Sequence, residues 1–283
     1  MILQFTLTVP EAKKLIALGA LELPEIKAAF KEGKIFLKGG STVSALAEEL
    51  VGIKLGICGR ITPLGTKGSR TWPVDAPHSI LIERGVPRSC DDREEEEILG
   101  MRKGDVFVIG ANAIDGYGNA AMMAGSALGG QPGKILGGLM GEGINVLILA
   151  GLEKLIPGSI MEATKACGRR KIDLSFGMAV GLIPIVGKLI TEQIATELLA
   201  NVKCQIIGKG GISGAEGATT MVAEGNPDQI EKLFQIIRKV KGTKTSGSPL
   251  SLEECRPHGP GCSDDLACIY LKPLKTQRKE SKQ

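Results

Sequence analysis

The sequence predicts an α/β protein: a Rossmann-like, mostly parallel sheet with helices on both faces, plus a small β-β-α unit near the C-terminus. Three observations predict it. Short, near-continuous apolar runs alternate with helical segments or long crossovers, the pattern of strands buried on both faces. Glycine-rich turns follow several of these runs, at residues 39–42, 59–70 and 110–130. Ligands of parallel sheets sit beyond the strands' carboxyl ends, so those three turns can converge on one edge and build one small-molecule site.

Composition sets the class. The 283 residues are 43% hydrophobic and 23% charged, which fits a globular chain with a large core. Aromatics are only 3%, too few for the stacking platforms of single-strand nucleic-acid binders. The net charge is +4, but Lys272, Lys275, Arg278, Lys279 and Lys282 crowd the last dozen positions. The body is near neutral, so neither nucleic acid nor membrane is an expected partner. No apolar stretch reaches spanning length and no basic leader precedes the first run. Seven cysteines, an odd number, suit a reducing cytoplasm better than a disulfide scaffold.

In chain order, residues 1–7 read as a strand and residues 10–21 as a helix opened by Pro10. Pro24 starts a second helix that ends at Gly33. Residues 34–38 (KIFLK) are a strand, Gly39, Gly40, Ser41 and Thr42 a turn, and residues 43–50 a helix. Ser41 or Thr42 can cap that helix, and the same hydroxyls can meet an anion at its positive end. Residues 53–58 and 79–82 read as further strands. Between them, the basic loop with Lys67 and Arg70 is either solvated or phosphate-binding. The acidic run 90–97 (CDDREEEE) reads as a solvated helix start, since carboxylates favour that end.

Residues 106–109 (VFVI) are a buried strand that stops at Gly110. The stretch 110–130, through Asn112, Asp115, Gly125 and Ser126, holds six glycines and one charge. A segment so poor in charge belongs under protein or over a ligand, and its free N–H groups suit phosphate. Residues 145–150 are a strand, 189–200 an amphipathic helix, 202–207 and 218–223 strands, and 228–239 a helix. Glu83, Asp115 and Glu216 are the candidate acid–base carboxylates, all at strand ends or in loops. Residues 243–251 read as a Ser/Thr/Gly linker. Cys255, His258, Cys262 and Cys268 lie within fourteen residues and could hold zinc or an iron–sulfur cluster, although no C-x-x-C pair is present. Cys268 also lies in an apolar, strand-like run, residues 266–271. The expected division is an α/β domain over residues 1–200, a small α+β unit with the Cys/His cluster over 201–273, and a disordered basic tail over 274–283.

The segment GGSTVSALAEEL resembles the strand–turn–helix of ribose-5-phosphate isomerases, glucosamine-6-phosphate deaminases and DeoR-type effector domains. GANAIDGYGNAAMMAGS is similar to the Gly-Ala-Asp loop of ribose-5-phosphate isomerases, and more closely to that of methylthioribose-1-phosphate isomerase and initiation factor 2B regulatory subunits. Over residues 35–150 the chain thus resembles the NagB/RpiA/CoA-transferase-like superfamily. The resemblance implies a phosphosugar, nucleotide or acyl-CoA ligand, but fold does not fix function. Two departures matter. Asn112 stands where the isomerases place an aspartate, and an amide cannot act as a general base. Met122 and Met123 stand where the family has an asparagine–lysine pair. The expectation is a cytoplasmic homo-oligomer that binds a phosphorylated or CoA-linked small molecule, as isomerase, transferase or non-catalytic regulator.

Overall fold

Alternation of side chains along the central strands decides the architecture. The computed structural model describes residues 1–68, 76–252, 262 and 265–271. The N-terminal strand β1 (Ile2–Leu7) is followed by α1 (Val9–Leu21) and α2 (Pro24–Glu32), then β2 (Lys34–Lys38) and α3 (Ser41–Val51). A small hairpin, β3 (Arg60–Thr62) and β4 (Gly65–Lys67), leads to β5 (Ser79–Glu83), β6 (Val86–Ser89) and α4 (Glu94–Leu99). Next come β7 (Val106–Gly110), β8 (Ala113–Ile114), β9 (Ala120–Ala124), α5 (Gly130–Glu142), β10 (Asn145–Leu149) and α6 (Ile160–Ala166). The chain continues through β11 (Gly181–Ile185), β12 (Lys188–Ile190), α7 (Glu192–Ala200), β13 (Lys203–Gly210), β14 (Ala218–Glu224) and α8 (Pro227–Val240).

The protein is mixed α/β around a six-stranded sheet in the order β12-β10-β7-β2-β5-β6. The first four strands are parallel; β5 and β6 run antiparallel to their neighbours. The expected mostly parallel sheet is therefore a mixed one. The turn Arg84-Gly85, where both residues take positive φ (48° and 78°), folds β6 back onto β5. Such two-residue turns match the twist of antiparallel strands.

Each central strand feeds two cores. Ile35, Leu37, Ile80, Ile82, Val106, Val108, Leu147 and Leu149 face one apolar cluster shared with α1, α3, α7 and α8. Phe36, Leu81, Phe107, Ile109 and Ile148 face the other, with Ile98 of α4 and Leu136 and Leu139 of α5. Phe36 and Phe107 stack there with centroids 4.9 Å apart. The expected β-β-α unit is completed by the far end of the chain: β14 lies between β13 and β1 in an antiparallel sheet. Buried Glu11 of α1 accepts Lys241 Nζ (2.9 Å) and Gly242 N (2.8 Å), fastening the end of α8.

Four local expectations change. Residues 53–58 form no strand. Leu55 N donates to Ser44 Oγ (3.0 Å), Gly56 N to the Pro77 carbonyl (2.8 Å), and the Leu55 carbonyl accepts Ser248 N (2.8 Å). Residues 188–190 are strand β12, because Thr191 caps α7 by accepting Ile194 N. The supposed linker is packed: Ser246, Ser248 and Ser251 are buried, and Ser246 Oγ bonds Ser44 Oγ at 2.7 Å. Residues 266–271 are turns with one bridge, Ser175 to Cys268, and no strand. The stretch 272–283, including the expected basic tail, lies outside the described residues. Among the described residues no helix is long and apolar enough to cross a membrane.

Candidate functional site

A cavity of about 850 Å³ opens at the carboxyl ends of β2 and β7. Lys38, Gly39, Gly40 and Ser41 line it from β2 and the start of α3; Ile109, Gly110, Ala111 and Asn112 line it from β7 and beyond. Met122, Met123, Gly125 and Ser126 add the next wall, and the β3 segment contributes Arg60 and Thr62. All three glycine turns thus line the cavity, as expected. From the loop at residues 59–70, Gly59 and Gly68 reach the cavity but Lys67 does not, and Arg70 lies outside the described residues.

Gly39 is required by packing. A Cβ at this position would overlap both the ring and the carbonyl of His78. Gly40, not Ser41 or Thr42, occupies the cap position of α3, in extended backbone (φ −176°, ψ 154°). Thr42 instead points into the protein, 2% exposed, with its hydroxyl unpartnered. The α3 N-terminus, with Ser41 beside it, therefore presents free backbone donors and a partial positive charge to the cavity.

The acidic run opens α4 as expected, with Asp92, Glu95 and Glu96 exposed, but two of its carboxylates turn inward. Glu94 is 3% exposed, and Glu97 is buried against Arg88. Lys38 Nζ, itself 5% exposed, pairs with Glu94 Oε1, which also accepts Ser79 Oγ at 2.5 Å. Glu94 Oε2 has no partner. Asp91 accepts the backbone N–H groups of His78 (2.9 Å) and Ser79 (2.7 Å). Burial, reinforced by the Lys38 charge, pushes the His78 pKa down to about 3, and its Nδ1 lies 2.9 Å from the Gly56 carbonyl.

Glu153 and Lys154 belong to no motif of the sequence. They follow β10 in a short 3-10 turn and line the cavity. Lys154 Nζ donates to the Ala111 carbonyl. Burial, helped by the Lys13 charge and opposed by Glu153, lowers the Lys154 pKa to about 8. Both Glu153 carboxyl oxygens are enclosed without a hydrogen-bond partner; Lys13 Nζ is 3.6 Å away. The available signal was a charged pair just after a buried strand, where parallel sheets place ligands.

The three expected carboxylates are not brought together. Glu83 ends β5, which runs antiparallel, so it pairs across from Lys34 at the opposite edge of the sheet. Glu216 is exposed in the β13–β14 connection, where it accepts Gly214 N at 2.9 Å. Asp115 is 4% exposed and accepts N–H groups of Tyr117 (2.9 Å), Asn119 (3.0 Å) and Ile160 (3.0 Å), besides the Asn119 amide. Despite the opposing effect of burial, these bonds hold its pKa down to about 2. It closes the β8–β9 turn and does not line the cavity. Asn112 lines the cavity and accepts Met123 N at 2.9 Å.

No family model, curated protein or solved structure matches the chain. Of the expected metal ligands, Cys255 and His258 lie outside the described residues; Cys262 is half-buried and Cys268 buried. Among the described residues, no three His, Cys, Asp or Glu side chains gather as a metal site.

Proposed function

We propose that the chain binds a phosphorylated or CoA-linked small molecule in this cavity, as an isomerase or transferase. The carrying observation is the convergence, on one cavity, of the β2 and β7 carboxyl ends, the α3 N-terminus, and the Lys38 and Lys154 amines. Backbone donors and amines suit an anion. The parallel strands β2, β7, β10 and β12, covered on both faces, support a Rossmann-like reading of the sheet.

The polar lining also says what else the ligand carries. Glu94 Oε2, Gln131 Oε1 and both Glu153 oxygens belong to cavity-lining residues, are enclosed, and accept no hydrogen bond. All four are acceptors. Unpaired buried acceptors are costly, so a ligand that supplies hydroxyl or amine donors is favoured over a bare anion. A second reading, binding without turnover, is favoured by Asn112, whose oxygen is committed to Met123 N. A thermal-unfolding screen with sugar phosphates, nucleotides and CoA esters tests the proposal. Stabilisation by one class supports it, and stabilisation without turnover selects the second reading. A flat response to all three classes refutes both.

A further inference from the structure

The cavity lysines differ in what they face. Lys38 meets the Glu94 carboxylate, and Lys13 lies 3.6 Å from Glu153. Lys154 instead sets its Nζ against a neutral acceptor, the Ala111 carbonyl just beyond β7. Beside it in the chain, Glu153 holds an enclosed carboxylate with no hydrogen bond. A desolvated lysine near another cation is the arrangement that turns an amine into a nucleophile, and an adjacent carboxylate that accepts no hydrogen bond can move its protons.

We propose that Lys154 is an imine-forming lysine, whose Nζ adds to the carbonyl carbon of an anionic aldehyde or ketone held in this cavity, with Glu153 as the proton carrier. The proposal rests on the reading of the cavity as a site for phosphorylated small molecules. The nitrogen lone pair forms the C–N bond, and the carbonyl π pair moves to oxygen. The two amine protons pass to that oxygen, one by way of Glu153, and it leaves as water while the C=N bond forms. One water is released and no oxidant or reductant is needed. The charged groups facing Lys154 are Glu153 on its own turn and Lys13 of α1. Lys209 of β13 reaches the same turn, donating to the Leu152 carbonyl. With a pKa near 8, Lys154 is half neutral at that pH, about a hundredfold or more above the neutral fraction of an ordinary lysine.

The test uses the full chain and pyridoxal 5′-phosphate, a phosphorylated aldehyde, as the probe. Adducts are trapped with borohydride from about pH 6.5 to about pH 9.5, a range that brackets the expected midpoint, and located by peptide mapping. The expected result is Lys154 as the first site modified, half-maximally near pH 8. Lys154→Arg should lose that adduct, and Glu153→Gln should slow its formation about tenfold or more while the folded chain keeps its unfolding temperature. Labelling spread over surface lysines with Lys154 untouched overturns the proposal, as does a Lys154 midpoint in the ordinary lysine range. If phosphorylated ligands still stabilise the chain in that case, the imine assignment alone fails. If they do not, the reading of the cavity fails with it.

Discussion

Removing the Lys38 amine by Lys38→Met should be among the most damaging single changes near the cavity. It leaves Glu94, 3% exposed, with Ser79 Oγ as its remaining described hydrogen-bond donor and with Oε2 already unpartnered. Breaking a buried ion pair from one side costs about 3–5 kcal/mol, because the other charge stays buried and uncompensated. With a denaturant slope of about 3 kcal/mol per molar urea, the unfolding midpoint should fall by about 1 M or more. Replacing both partners, Lys38→Met with Glu94→Met, removes the stranded charge and should restore at least half of the loss. The double-mutant cycle is therefore strongly non-additive. A single-variant cost under about 1 kcal/mol, the range of solvated surface pairs, would refute the view that Glu94 is an interior charge held by Lys38. So would two losses that simply add.

His78 should make stability fall with acidity. Its pKa is depressed from 6.5 to about 3, so its contribution is whole above 6.5 and drains away as the pH falls toward 3. The unfolded chain takes up a proton that the fold refuses, at about 1.4 kcal/mol per pH unit. Urea midpoints measured between about pH 6.5 and about pH 5 should show that slope, and His78→Gln should flatten it. Gly39→Ala forces the His78 ring and carbonyl to move and should cost about 2 kcal/mol or more by the same denaturation. Asp115→Ala strands the N–H groups of Tyr117, Asn119 and Ile160. It should cost about 2–4 kcal/mol yet leave ligand affinity within about threefold, since a spread of that size is below 1 kcal/mol.

Local signals placed most elements. Pro24 and Gly33 bracket α2, and the KIFLK and VFVI runs became β2 and β7. Strand direction was not legible from apolar runs. SILI reads alike in a parallel or an antiparallel strand, and its antiparallel pairing with β2 leaves no mark within the run. That one ambiguity moved Glu83 to the wrong edge of the site. The run at residues 53–58 has strand composition, but its backbone groups are satisfied by Ser44, Pro77 and Ser248, partners that no local pattern reveals. The burial of Glu94 depends on Lys38, fifty-six residues earlier in the chain. Lys154 and Glu153 were hidden for the same reason: their chemistry comes from enclosure by distant segments, whereas their local sequence reads as a connector.

The central claim is that a small molecule occupies the cavity beyond β2 and β7. Gly40 lines that cavity, and a Cβ there meets nothing within 4 Å, so Gly40→Val adds bulk to the space at a modest capping cost. The decisive measurement is the unfolding temperature of both proteins with a ligand found in the screen, at about a hundredfold excess over its dissociation constant. The wild-type chain should gain about 5 °C, and Gly40→Val, folded on its own, should gain almost none. An equal gain in both proteins would place the ligand elsewhere and contradict the account.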